Sequence, residues 1–141
     1  MISIITVLLF ISLCIASYTD VRTRTIPVWL FPSVMVIGSG VLLYMGQFGF
    51  WNLIGLACML LPTFTLAMTG NFGGGDVLMF ATVGLMLGEN VVEYVLVLAV
   101  ISTVFLLLTK LRKKEYPIAP FALVSYLIFL FGRYLSRQLF L

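Results

Sequence analysis

Long runs of apolar residues, separated by short polar segments, constrain the fold of this chain more than any other feature. A helix needs about 20 mostly apolar residues to cross the hydrocarbon core of a bilayer. The chain has 141 residues, of which 62% are hydrophobic and only 9% are charged, whereas an average soluble domain is roughly half apolar and a quarter charged. We therefore expect an all-α integral membrane protein that forms a single domain over residues 1–141.

The apolar runs predict a bundle of about six transmembrane helices. The fourth run is short, so the count becomes five if that helix is re-entrant. The predicted spans cover approximately residues 2–18, 28–45, 50–68, 76–87 and 92–109, followed by a last run that begins after Pro120 and ends between Phe129 and Leu139.

Clusters of basic residues predict how the chain is oriented in the membrane. Arg22 and Arg24 follow the first apolar run, and residues 110–114 carry four more basic side chains after the fifth run. Because cytoplasmic loops are enriched in Lys and Arg, we expect the loops after the first, third and fifth helices to face the cytoplasm. Arg133 and Arg137 then lie on the opposite side, where long side chains can reach the lipid headgroups.

A glycine-rich stretch carries a carboxylate into the start of the fourth run. The stretch reads Asn-Phe-Gly-Gly-Gly-Asp and ends at Asp76. An ionisable side chain within a membrane helix costs roughly 2.5–3.5 kcal/mol on insertion scales, so such a residue is a functional candidate by default. The only other aspartate, Asp20, closes the first run. In the predicted topology both aspartates lie at the cytoplasmic edge of the membrane, so they can form one site.

Two facing carboxylates have the chemistry to hydrolyse a peptide bond. In a low-dielectric site they share one proton and titrate as a pair. The ionised member can deprotonate a water, and the protonated member can donate to the substrate carbonyl. The chain contains no histidine, and its two cysteines form no CxxC pair, which excludes His-based triads and the usual Cys/His zinc sites. We therefore expect a site with no metal and no cofactor.

Other interpretations of the two aspartates stay open at this point. An aspartate in the first turn of a helix is often only a cap, and Asp20 alone can be a boundary residue. Two membrane carboxylates can also bind a cation in a small cation- or proton-coupled transporter. A third alternative is a non-catalytic assembly subunit of a membrane machine.

Three segments of the sequence resemble the type IV prepilin peptidase and preflagellin peptidase family. Gly73, Gly74, Gly75 and Asp76 match the GxGD motif of intramembrane aspartyl proteases. The segment Asp-Val-Arg-Thr-Arg-Thr-Ile-Pro, which starts at Asp20, resembles the family's first-aspartate segment, although Val28 replaces the usual Asn that follows it. Residues 113–121, Lys-Lys-Glu-Tyr-Pro-Ile-Ala-Pro-Phe, resemble the basic segment and Pro-x-x-Pro before the family's last helix.

The resemblance implies an enzyme of the short, peptidase-only type, with Asp20 and Asp76 as the catalytic pair. Such an enzyme removes the short basic leader of prepilin-like or preflagellin-like precursors at the cytoplasmic face of a prokaryotic inner membrane. Its partners are these precursors and the lipid bilayer, without nucleic acid, and no residue supports a methyltransferase activity with S-adenosylmethionine. The residues expected to bind substrate or shape the site are Gly73, Gly74, Gly75, Arg22, Arg24, Pro27, Lys113, Lys114, Pro117 and Pro120.

Overall fold

The computed structural model describes residues 4–70, 73–108 and 118–139, which fold into a bundle of helices. No strand occurs within these ranges, so the predicted all-α fold is confirmed. The helices are α1 (Ile4–Thr23), α2 (Leu30–Tyr44), α3 (Phe50–Met68), α4 (Gly74–Leu87), α5 (Val91–Leu108) and α6 (Ala119–Leu139), and a short 3-10 turn (Gly88–Asn90) joins α4 to α5.

Within the described ranges, four stretches are long and apolar enough to cross a membrane, and they make the chain a multi-pass membrane protein. They are Ile4–Thr23, Phe50–Met68, Gly74–Phe105 and Ala119–Gln138. The third stretch is 32 residues long because α5 follows α4 directly after the 3-10 turn. Helix α2 is a shorter apolar helix of 15 residues, about 22 Å long. The predicted count of about six transmembrane helices is therefore not confirmed.

Helix α1 continues beyond its predicted boundary, so that Asp20 lies inside its last turn rather than after it. The helix ends at Thr23, and the next residue, Arg24, has a left-handed backbone conformation with φ of 53°. A residue in this conformation commonly terminates a helix, although glycine usually fills the position. The Arg24 N–H still donates to the Asp20 carbonyl at 2.9 Å. The backbone of Asp20 is therefore helical, and this fixes the direction in which its side chain leaves α1.

Helix α4 lies at the centre of the bundle. It packs against α3 and α2, while α2 also contacts α1, α1 contacts α6, and α6 contacts α5. Val77 and every residue from Met79 to Met86 are buried. A helix that is apolar on all sides is typically surrounded by other elements, which is the environment of α4. Asp76 lies in the first turn of this central helix.

The crossing of α3 and α4 depends on two glycines that bring the helix backbones together. A Cβ added to Gly55 would collide with the Gly84 carbonyl oxygen, and a Cβ added to Gly84 would collide with the Gly55 carbonyl oxygen. Small residues allow this kind of approach in membrane bundles, where packing rather than hydrophobicity drives association. The close contact fixes α4 along the length of α3.

A buried amide holds the end of α4 that lies farthest from Asp76. The Asn52 side chain, in the first turn of α3, donates from Nδ2 to the Leu85 carbonyl at 2.8 Å. Its Oδ1 accepts the N–H of Gly49 at 2.9 Å. The oxygen and the nitrogen of this buried amide are therefore both hydrogen-bonded. The bond to Leu85 connects α3 to the C-terminal end of α4, where Glu89 follows.

Two tyrosines fix α6 against its neighbours. Tyr126 donates its hydroxyl to the Thr6 carbonyl on α1 at 3.3 Å. Tyr94, on α5, donates its hydroxyl to the Ala122 carbonyl on α6 at 3.1 Å. The rings of these tyrosines meet edge to face, with centroids 6.4 Å apart. These contacts set the position of α6 along α1, and the N-terminus of α6 thereby reaches Asp20.

Candidate active site

Asp20 is a buried carboxylate that joins α1 to α6. Only 8% of the residue is exposed. Its Oδ2 accepts a hydrogen bond from the backbone N–H of Ala119 at 3.0 Å. Ala119 is the first residue of α6, and the first N–H groups of a helix have no partner within the helix. Asp20 therefore supplies an acceptor to the start of a helix that lies 99 positions away in sequence.

Asp76 is a half-buried carboxylate that caps its own helix. Its Oδ2 accepts the N–H of Gly73, the residue just before α4, at 3.1 Å. The Gly73 carbonyl in turn accepts the N–H groups of Asp76 and Val77 at 3.1 and 3.3 Å. The N-terminus of a helix carries partial positive charge and favours a carboxylate at this position. Asp76 thus acts as a helix cap, one of the interpretations considered from the sequence. The capping hydrogen bond orients its side chain.

The two aspartates lie at the same end of the bundle. Helix α1 contacts α4 directly, with Asp20 near the end of α1 and Asp76 near the start of α4. A carboxylate can accept a proton and a carboxylic acid can donate one, so two neighbouring acidic side chains offer both functions. This arrangement can perform general acid–base chemistry on a substrate placed between the carboxylates.

The glycines before Asp76 have different surroundings. A Cβ on Gly75 would lie 2.8 Å from the Ile26 Cβ and 3.1 Å from the Ile26 carbonyl oxygen, whereas a Cβ on Gly74 would meet none of the described residues within 4 Å. A Cβ on Gly73 would lie 3.3 Å from the Asp76 Oδ2. The space at Gly75 is therefore filled by the segment between α1 and α2, whereas Gly74 faces space that none of the described residues occupies, where a substrate backbone could approach.

Of the basic residues expected at the site, Arg22 and Arg24 are described by the structure. The Arg22 guanidinium donates to the Tyr18 hydroxyl at 2.6 Å and lies 5.8 Å from the centroid of that ring, on an exposed face of α1. Arg24 shapes the backbone, since it terminates α1 directly after the turn that contains Asp20.

The proline positions shape the chain around the aspartates. The Pro27 carbonyl accepts the N–H of Leu30 at 3.1 Å and so begins α2. Pro120 is half-buried in the first turn of α6, next to Ala119. The remaining expected site residues, Lys113, Lys114 and Pro117, lie outside the described residues.

Nothing in the described part of the chain groups three or more His, Cys, Asp or Glu side chains as a metal ion would require. The site as described consists of two carboxylates and backbone donors. The chemistry open to these groups is proton transfer.

A model of the type IV leader peptidase family matches residues 7–111, which include both aspartates. The match covers well over half of the sequence. The chain belongs to the type IV leader peptidase family. It is a peptidase at the family level, and the family that the sequence resembles is confirmed. Searches of curated proteins and of solved structures gave no significant match.

Two residues that contact the site of this type IV leader peptidase were not singled out from the sequence. Ala119 contributes only a backbone N–H to Asp20, so its side chain gives no chemical signal. Ile26 contributes its packing against Gly75. One isoleucine in a largely apolar sequence does not indicate such a contact. Ala119 also lies beyond the residues matched by the family model.

Proposed function

We propose that this chain is an aspartic-type endopeptidase that removes the short basic leader of prepilin-like or preflagellin-like precursors. The observation that carries the proposal is that Asp20 and Asp76 lie at the same end of the bundle, near the end of α1 and the start of α4, two helices that contact each other. Membership of the leader peptidase family supports hydrolysis of a leader peptide.

The proposed reaction uses the two carboxylates as an acid and a base. The ionised carboxylate accepts a proton from a water, whose oxygen attacks the scissile carbonyl carbon of the leader. The protonated carboxylate donates to the carbonyl oxygen, and a proton then passes to the leaving amine as the C–N bond breaks. The N-terminus of α4 beside Asp76 stabilises negative charge during these steps. Neither carboxylate is consumed.

The proposed substrate approaches along the open side of Gly74. No described residue lies within 4 Å of a Cβ added at Gly74, so an extended peptide could lie beside the first turn of α4 and its Asp76. A leader that is followed by an apolar helix would place its scissile bond at the membrane edge, where the two aspartates lie. We infer that this edge faces the cytoplasm of a prokaryotic cell, in the inner membrane, because basic residues follow α1 and α5 in the sequence.

The test is leader removal from a co-expressed prepilin-like precursor, followed as a mobility shift on a gel. Asp20→Asn and Asp76→Asn should each lower the cleavage rate by about 10²- to 10⁴-fold, the usual contribution of general acid–base catalysis. The matched control is Glu89→Gln, which neutralises an exposed carboxylate in the turn after α4 and should cleave at the wild-type rate. Normal cleavage by either Asn variant, at equal protein level in the membrane, would refute the aspartic mechanism.

A cation- or proton-coupled transporter would use the same carboxylates in another way. Purified protein in proteoliposomes should then carry a flux that depends on a cation or pH gradient and leave the precursor intact. Under our proposal the proteoliposomes cleave the precursor without any such gradient.

A further inference from the structure

The carboxylate of Asp20 is held by a group outside both aspartate motifs. Its Oδ2 accepts the backbone N–H of Ala119 at 3.0 Å, and no part of Ala119 is exposed to solvent. Hydrogen bonds that involve a charged group are shorter and roughly twice as strong as neutral ones. A bond to one oxygen of a buried carboxylate also restricts rotation of that carboxylate.

The Ala119 N–H is free for this bond because of where α6 begins. The Ile118 carbonyl accepts the N–H groups of Phe121 and Ala122 at 3.0 and 3.2 Å, which makes Ile118 the residue that caps the helix and Ala119 its first helical residue. An N–H at the first helical position has no acceptor within its own helix. It also lies at the positive end of the helix dipole, which favours a carboxylate partner.

The position of α6 relative to α1 is fixed at a second point along the same pair of helices. Tyr126 lies two turns after Ala119 and donates to the Thr6 carbonyl at 3.3 Å, while Ser125 beside it is fully buried. The donor at Ala119 is therefore part of a packed helix and does not move independently of it. A rigid donor can set the orientation of a catalytic carboxylate more precisely than a loop can.

We propose that the backbone N–H of Ala119 is a positioning group for Asp20, which makes the start of α6 part of the catalytic apparatus. This inference rests on the proposed function, because it assigns Asp20 a catalytic role. Ala119 touches neither substrate nor water in the proposal and acts only through the Asp20 carboxylate. Loss of the N–H should slow the chemical step and leave substrate binding nearly unchanged.

The cleanest test replaces one backbone atom. Ala119→L-lactate, introduced by nonsense suppression, exchanges the N–H for an ester oxygen and keeps the side chain. We expect kcat to fall by about ten- to a hundredfold, the effect of losing a hydrogen bond to a charged group. We expect KM for the precursor to change by less than about twofold, since only an interaction needed for the chemical step is lost.

The matched control is the same exchange at the first residue of α3, Phe50→3-phenyllactate. Each ester also makes the preceding carbonyl a weaker hydrogen-bond acceptor. In both variants that carbonyl caps a helix: the Gly49 carbonyl accepts the N–H of Asn52 at 3.1 Å, and the Ile118 carbonyl accepts the N–H of Phe121. Only the exchange at Ala119 removes a donor to Asp20. The control should keep the wild-type kcat.

The outcomes separate this inference from the proposed function. If Asp20→Asn is inactive while Ala119→L-lactate keeps the wild-type kcat, the positioning role is overturned and the aspartic mechanism stands. If Asp20→Asn cleaves normally, the proposed function itself fails. A fall in kcat that is equal for the esters at Ala119 and Phe50 would also overturn the positioning role, because it would reflect helix capping alone.

Discussion

Ile26, in the segment between α1 and α2, lies against the backbone of Gly75, one residue before Asp76. A Cβ at Gly75 would come within 2.8 Å of the Ile26 Cβ, a separation that real Cβ atoms essentially never adopt. Position 75 therefore has to be glycine because the segment between α1 and α2 leaves no room for a side chain there. The contact also links the segment that follows Asp20 to the helix that carries Asp76.

Substitution of Gly75 should therefore disturb the site through Ile26. Gly75→Ala is expected to destabilise the protein by about 1–3 kcal/mol, the usual effect of overpacking, and to reduce leader cleavage by displacing Asp76. In the double variant with Ile26→Gly, the loss of stability should be smaller than the sum of the two single losses, because Ile26→Gly removes the nearest side-chain atoms. Thermal unfolding and the cleavage rate, measured in one detergent, provide the check.

The control for this pair is Gly40→Ala, since a Cβ at Gly40 in α2 would meet nothing within 4 Å. Alanine also has a higher helix propensity than glycine, so this variant should be at least as stable as the wild type. Equal stability of Gly75→Ala and Gly40→Ala would contradict the assigned contact.

The left-handed backbone of Arg24 should make this position sensitive to side-chain shape as well as to charge. Arg24→Asn and Arg24→Val both remove the guanidinium, but asparagine tolerates positive φ and a β-branched residue does not. We expect the Val variant to be less stable than the Asn variant by about 1–2 kcal/mol and to cleave the precursor more slowly. If the two variants behave alike, the Arg24 backbone does not set the end of α1.

The Asn52 amide should stabilise the fold without affecting catalysis. Asn52→Ala removes the donor to the Leu85 carbonyl and the acceptor for the Gly49 N–H. Leaving buried polar groups unpaired costs about 1–3 kcal/mol, which should appear as a lower unfolding temperature. The cleavage rate below that temperature should equal that of the wild type, because Asn52 lies at the end of the bundle opposite Asp20 and Asp76. A slower rate at full folding would contradict this separation.

The crossing of α3 and α4 should fail when either glycine at the contact gains volume. Gly84→Ala places a methyl group against the Gly55 backbone, and the helices can relieve this collision only by separating. We expect a loss of about 1–3 kcal/mol in the free energy of unfolding, measured by chemical denaturation in micelles. Gly132→Ala in α6, where an added Cβ would meet none of the described residues within 4 Å, should leave that free energy unchanged or slightly higher, because alanine has the higher helix propensity.

Much of this architecture could be predicted from the order of residues. Apolar runs of sufficient length predict membrane helices because the bilayer leaves no partner for exposed backbone polar groups. The observed helices α3 and α5 begin within one residue of their predicted starts, at Phe50 and Val91. The end of α1 was harder to place, since its position at Thr23 depends on the backbone conformation of Arg24 rather than on hydropathy.

The sequence by itself determined that the chain is a membrane bundle, and it identified Asp20 and Asp76 as the candidate pair, because charged groups in apolar runs are costly and therefore conspicuous. Only the tertiary structure decided what holds each aspartate. The Ala119 N–H, the Ile26 contact at Gly75 and the central position of α4 arise from residues far apart in sequence. They act through backbone atoms and packing, which leave no chemical pattern along the chain.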